Sequence, residues 1–215
     1  MPPRTRAGLT RQRVLRTALD LVDREGVDAL SMRRLGRELG VEAMSLYGYV
    51  ESKQDLVEGV VEQVFREMPL ITPGPGSWQD RLRIHAATYR AVLLRHPNAV
   101  RLVAGRPLIT EGTIAFVESA LQELCGIGLD LATADLVLDL VASYTLGHVA
   151  EQVGNETRGP DYVAHGRETV DTTPFPHVAA LWQVPPTDPE REFAFGFELI
   201  IAGIERLLES RGDPG

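Results

Sequence analysis

The stretch SMRRLGRELGVEAMSLYGYV, Ser31 to Val50, constrains the chain more than any other. Leu35, Leu39, Val41 and Leu46 supply a small shared core for two short helices that meet at a glycine. Gly36 leaves room where the second helix must approach closely, and Gly40 can take the left-handed conformation that a sharp turn needs. This is the internal logic of a helix-turn-helix, whose second helix enters the major groove of DNA. The outward residues of that helix are Ala43, Met44, Ser45, Tyr47 and Tyr49. Ser and Tyr hydroxyls bond phosphates or base edges, while Ala and Met offer apolar contact to a thymine methyl. Arg33, Arg34, Lys53 and the arginines of the N-terminal arm are expected to hold phosphates and set the register.

Charge is distributed in keeping with this reading. The chain as a whole carries −8, yet residues 1–53 carry a net +3 and residues 54–215 a net −11. Arg4, Arg6, Arg11, Arg13 and Arg16 all precede the first acidic residue, Asp20. An anionic partner for the front and none for the rest is the implication; a solvated basic tail is the plainer alternative. No apolar run approaches a membrane span of roughly 18 residues, and the basic N-terminus lacks the apolar segment of a secretory signal. Cys125 is the sole cysteine, which excludes an internal disulfide framework. A cytoplasmic location is expected.

Helical spacing dominates throughout, so the expected class is all-α. Thr10 caps a first helix with apolar residues Val14, Leu15, Ala18, Leu21 and Val22, ended by Gly26. Ser31 caps a second helix, ended by Gly40, and Glu42 to about Gly48 forms a short third. Ser52-x-x-Asp55 opens a fourth, running to about Met68. MPLITPGPGS, Met68 to Ser77, reads as a connecting loop. The expected division is therefore a helix-turn-helix domain over 1–57, a linking helix over 52–68, and a larger helical domain over 69–215. In the larger part, helices are expected over Ser77–Arg95, Ala99–Gly105, Thr110–Gly126, Leu131–Val153, His177–Gln183 and Pro189–Ser210. Gly154 to Pro176 has weak periodicity and reads as a loop. The final helix is apolar on more than one face, which predicts packing against another subunit as well as its own core.

Candidate chemistry in the larger part is sparse. His85 and Tyr89 lie four apart on one helix face, either lining a pocket or packed as a buried histidine and its neighbour. His148, Glu151 and Gln152 share a helix; His148 and Glu151 either share a metal ion or make a structural hydrogen bond. Trp182 and Phe175 either close a pocket or simply pack. No G-x-S-x-G, H-E-x-x-H, paired cysteine or P-loop occurs. A helical enzyme with an unmarked site, or a helical dimer whose front binds protein, are the competing classes.

A resemblance sharpens this reading. LTRQRVLRTALDLVDREGVDALSMRRLGRELGVEAMSLYGYVESKQDLVEGVV is similar to the DNA-binding domain of the tetracycline-repressor (TetR) family along its whole length. Leu46, Tyr47, Tyr49, Val50, Lys53 and Leu56 stand at the family's characteristic positions. SWQDRLRIHAATYRAVLLRHPNA, GRPLI, YTLGHVAEQ and FAFGFELIIAGIERLL resemble the repressor segments in order and spacing.

The resemblance implies a homodimer through Leu131–Val153 and Glu190–Leu208, with Phe193, Phe197, Ile200, Ile201 and Ile204 in the interface. It also implies a transcriptional regulator, a repressor acting on a palindromic operator, and release by a small molecule. The pocket residues expected are His85, Tyr89, Leu102, Arg106, Tyr144, His148, Glu151 and Trp182. Aligning Arg106-Pro107 on the repressor's "RP" turn puts Leu102, with Arg101 beside it, where a metal-binding His is expected; the drug-binding Asn and Gln fall at His85 and Ala120. No metal, no cofactor and an effector other than magnesium–tetracycline are therefore expected.

Overall fold

The computed structural model describes residues 8–72, 74–104 and 109–211, with the backbone alone for 160–164 and 211. Among these residues there are helices and turns and no strand. The helices are α1 Arg11–Glu25, α2 Met32–Leu39, α3 Lys53–Arg66, α4 Trp78–Arg95, α5 Val100–Ala104, α6 Glu111–Gly126, α7 Leu131–Arg158, α8 Pro160–Thr169, α9 Pro176–Leu181 and α10 Pro189–Arg211. A 3-10 helix, Ala43–Gly48, stands between α2 and α3.

Side-chain caps explain why most of these helices begin where they do. Thr10, Ser31, Ser52, Ser77 and Thr110 each accept a hydrogen bond from the amide three residues on. Each satisfies a donor that the helix itself leaves open, a contribution of about 1 kcal/mol. Gly40 ends α2 in the left-handed region, at φ 69°.

By their internal contacts the residues form two units, Met1–Leu138 and Asp139–Gly215. In the first, Val14, Leu15, Leu21 and Val22 of α1 are buried with Leu35, Leu46 and Val50, and with Leu56, Val60 and Val64 of α3. The α3 helix is enclosed on nearly every side, and even Glu62 and Gln63 are buried. It packs on α1 near its start and on α6 farther along. This is why the unit extends past the Pro- and Gly-rich loop at which the sequence suggests a boundary. A shared helix carries the core of the front straight into α4–α6. Arg81 of α4 donates from Nε to Glu123 of α6 at 2.7 Å, tying those two together.

In the second unit, Val141, Thr145 and Val149 of α7 are buried, as are Phe193, Phe197, Ile201 and Ile204 of α10. The Tyr144 ring stacks on Phe193 at 5.3 Å between centroids, and its hydroxyl donates to the Phe193 carbonyl at 2.9 Å. Tyr144 lies so close over Gly196 that a Cβ there would overlap the phenol. The expected subunit face of α10 is thereby corrected. Phe193, Phe197, Ile201 and Ile204 fill the chain's own core and Ile200 is half-buried, whereas Phe195 and Leu199 on the opposite side are 71% and 62% exposed. Periodicity locates two apolar faces but does not say which is internal.

The expected loop over 154–176 is corrected as well: α7 continues to Arg158, and α8 follows from Pro160. Gly159 makes the break at φ 73°, and Pro160 suits the first helical position. From His165 to Val170 the side chains are exposed apart from Gly166, so no buried apolar stripe marks that part of the helix.

Gly36 carries a testable consequence. A Cβ there would sit 2.9 Å from the Val41 carbonyl oxygen and 3.2 Å from the Ala43 amide, both backbone atoms that cannot swing away. Gly36→Ala should lower stability by about 1–2 kcal/mol, overpacking outweighing the better helix propensity. A chemical denaturation midpoint equal to the parent's would show that the turn yields freely.

Candidate nucleic-acid interface and effector site

The front three-helix module is held by its turn. Ser31 starts α2, Gly40 reverses the chain, and the Val41 amide donates to the Gly36 carbonyl at 2.9 Å. Leu46 is then driven fully inward, buried like Leu35 of α2, which turns its neighbours outward. Met44 is 76% and Tyr47 47% exposed, and Ser45 is exposed; Ala43 and Tyr49 are half-buried. An exposed methionine on a rigid helix makes no sense for the core; it suits contact with another surface.

The cations fall into two groups. Arg33 and Lys53 are exposed, and so is Arg37, four residues after Arg33 on α2. Sequence reading passed over Arg37, although the four-residue spacing was there to find. Arg34 is corrected: it is half-buried, its Nη1 donates to Glu38 at 2.7 Å, and its Nε and Nη2 donate to Glu25. These bonds hold Glu25 and Glu38 below the ordinary carboxylate range. With both ends of its guanidinium occupied, Arg34 braces α2 against the end of α1. Arg11 likewise donates to Asp55 at 2.6 Å. Arg4 and Arg6 lie outside the described residues.

A second cluster lies farther along the first unit. His85 and Tyr89 of α4 do share a face, and both meet Phe116 of α6, His85 stacked at 4.9 Å and Tyr89 tilted at 6.1 Å. Phe65 of α3 completes the group, 5.6 Å from Phe116. Nε2 of His85 is buried without a hydrogen-bond partner. Burial pushes His85 down to about 4 and pushes the Tyr89 hydroxyl up, so both are neutral near pH 7. The site therefore presents an aromatic wall with one unsatisfied imidazole nitrogen. Phe65 and Phe116 escape a sequence reading because each stands alone in its helix and only packing gathers them. Leu102 is half-buried on α5, and Arg106 lies outside the described residues.

In the second unit, Tyr144 and His148 gather around Phe193, the His148 ring edge-on at 5.3 Å. The Tyr144 hydroxyl is already committed to the α10 backbone. His148, Glu151, Gln152, Asn155, Glu156, Pro189 and Glu192 line a small hollow. Glu151 is exposed. Trp182 is half-buried, with the Arg167 guanidinium 5.9 Å from its ring centre. Among the described residues no three His, Cys, Asp or Glu side chains converge as a metal site requires, and no helix is long and apolar enough to cross a membrane.

Comparison with known proteins adds identity to this geometry. Residues 14–60 match the family described as bacterial regulatory proteins, tetR family, and residues 69–208 match the tetracyclin repressor-like, C-terminal domain. The tetracycline repressor protein class C of Escherichia coli is 30% identical over 212 residues, covering 95% of this chain and 94% of that protein. An HTH-type transcriptional regulator of Saccharopolyspora erythraea is 34% identical over 149 residues, 69% of this chain, and the match spans 63% of that protein's length. Among solved structures, the Streptomyces coelicolor TetR family protein ActR in complex with actinorhodin is similar at a TM-score of 0.82 and 30% identity, over 92% of this chain and 96% of that one.

Proposed function

From the premise that the chain belongs to the TetR family of DNA-binding transcriptional regulators, which are not enzymes, we propose that it is a one-component repressor released from its operator by a small molecule. The observation that carries this reading is the exposed row Met44, Ser45 and Tyr47 on a helix pinned from behind by Leu46. Ala43–Gly48 enters the major groove, Met44 and Ser45 read base edges, and Tyr47, Arg33, Arg37 and Lys53 hold phosphates. The protein works in the cytoplasm as a homodimer, so the operator is palindromic, with half-sites at least ~34 Å apart.

Selection of duplexes from random DNA tests the DNA reading. Met44→Ala and Ser45→Ala should each change base preference by roughly 1–3 kcal/mol at one position. Lys53→Ala should weaken all sequences alike and lower the salt slope by about one charge. Identical selected operators from parent and both reading-helix variants would mean that another face meets the bases.

The dimer is formed by the outward faces of the two long helices. Along α7, Leu136, Leu140, Ser143, Gly147 and Ala150 are exposed at spacings of three and four, and along α10 Phe195, Leu199 and Ala202 are. Stripes of this length support an apolar contact above about 2,000 Å². Leu199→Arg should give a folded monomer in sedimentation, whereas Ile201→Arg should unfold the chain. A Leu199→Arg protein that remains dimeric at micromolar concentration assigns the interface elsewhere.

The effector engages His85 and Tyr89, and the cluster suits a mostly apolar molecule carrying a few polar groups. No metal mediates it, because Leu102 offers no lone pair and the neighbouring Arg101 is a fixed cation. ActR is seen with actinorhodin, and the class C repressor is named for tetracycline; both support a small-molecule effector here. Titration with tetracycline should give no magnesium-dependent binding. Nanomolar binding that requires magnesium would overturn the metal-free reading.

A further inference from the structure

Asp55, in the first turn of α3, holds a different partner on each carboxylate oxygen. Its Oδ2 accepts from the Glu51 amide at 2.8 Å, in the turn by which the chain leaves the reading helix. Its Oδ1 accepts from Nη2 of Arg11, the first residue of α1, at 2.6 Å. The Asp55 amide donates to the Ser52 cap at 3.0 Å, which seats the side chain beneath that turn. Among the described residues the bond to Asp55 is the one hydrogen bond that Arg11 makes. Its other acidic neighbour, Glu62, stands 3.8 Å from Nη1 and accepts from Arg66 through its second oxygen.

Arg11 is nonetheless placed where a phosphate ligand could stand. It lines one open hollow together with Tyr47 and Gly48, the last residues of the reading helix, and its side chain is 45% exposed. The rest of that hollow is acidic, with Glu51, Asp55 and Glu58 in its wall. Three carboxylates outweigh one guanidinium, so a phosphate is repelled from the hollow, and one outside it competes for Arg11 against a charged hydrogen bond. The pair is not what holds the two helices together. The packing of α1 on α3 rests on Val14, Leu15, Leu56 and Val60, all buried, and an ion pair this exposed adds little to stability. Its consequence lies in where it keeps the guanidinium.

We propose that Asp55 is a positioning residue that sets specificity by withholding Arg11 from the DNA backbone. Affinity for any duplex comes from phosphates neutralised, whereas discrimination comes from contacts to base edges. An untethered arginine beside the reading helix can turn to whichever phosphate is near in a loosely docked complex, and it strengthens binding to every sequence that way. On the selected operator the base contacts fix the register, so the same arginine gains much less. Tethered to Asp55, it adds to neither. The proposal rests on the reading that Ala43–Gly48 meets operator duplex, and it reverses the expectation that this arginine of the front holds a phosphate.

The test measures affinity by fluorescence anisotropy, between about 50 and 200 mM salt, for a duplex selected by the parent and for one of random sequence. Arg11→Gln should leave the parent's salt slope on random duplex unchanged. Asp55→Ala should steepen that slope by about one charge and tighten random duplex roughly 3- to 8-fold near 100 mM, the yield of one released counterion. The selected duplex should gain less, so the ratio of the two affinities falls. Adding Arg11→Gln to Asp55→Ala should restore the parental slope. A slope lowered by Arg11→Gln alone shows a phosphate contact in the parent and overturns the proposal. An Asp55→Ala slope equal to the parent's, the mark of a merely structural role, overturns it too, as does an equal gain on both duplexes. If Asp55→Ala does not fold, Asp55→Asn decides by the same slopes, since its carboxamide still accepts from the Glu51 amide. Where the parent selects an operator and these slopes fail, only the tether falls; where it selects no duplex, the operator reading falls and the tether with it.

Discussion

Leu15 of α1 lies directly against the backbone of Gly59 in α3, closer than any Cβ allows. The first unit depends on that approach. It lets α3 sink among its neighbours until Leu56, Val60, Val61 and Val64 have no exposed surface at all. A helix enclosed in this way cannot slide or rotate alone; it moves with whatever grips it. One end is capped by Ser52, four residues after the reading helix stops, and the other runs to Arg66, with α5 and α6 packed on the helix. The aromatic group at His85 and Phe116 includes Phe65 from this same helix. An event in the body therefore reaches the DNA-reading module through packed atoms and not through a flexible tether.

Much of this was legible in the sequence because local chemistry and tertiary packing agree. The Ser and Thr caps, the glycine at the turn and the period of apolar residues mark α1 to α4 nearly to the residue. What escaped has a common cause: it depends on neighbours distant in the chain. The two faces of α10 are equally apolar, and only the stacking of Tyr144 on Phe193 shows which one is internal. The described side chains of α8, from His165 on, are exposed apart from Gly166, so no buried stripe there guides a sequence reading. Arg34 has the composition of a phosphate ligand but the position of a brace, since Glu25 and Glu38 reach it from two helices. The pair His85 and Tyr89 could be seen at its spacing of four; the rings packed against it, Phe65 and Phe116, could not.

The same distinction governs the charge of the front. Net +3 over residues 1–53 conceals a division of labour. Arg11, Arg24 and Arg34 pair with Asp55, Glu38 and Glu25, and these contacts orient α1, α2 and α3 toward one another. Exposed pairs of this kind add little stability, typically under about 1 kcal/mol each, so their value lies in orientation. Arg33, Arg37 and Lys53 are exposed at the surface. A charge count predicts that the front meets an anion; only the pairing tells which cations are already committed within the fold.

The geometry of α3 also explains why control of DNA binding needs no large rearrangement. Its 14 residues make a rod of about 21 Å at 1.5 Å per residue. A tilt of about 5° at the Arg66 end moves the far end by nearly 2 Å, roughly the whole margin between a hydrogen bond and none. In a dimer the two modules move oppositely about the symmetry axis, so the mismatch to a fixed pair of half-sites doubles. The aromatic cluster along α3 touches this same rod through Phe65. The reading helix itself need not deform. It is enough to shift the rod that carries it, and the operator, whose half-sites are held by the DNA helix itself, supplies the reference against which that shift is felt.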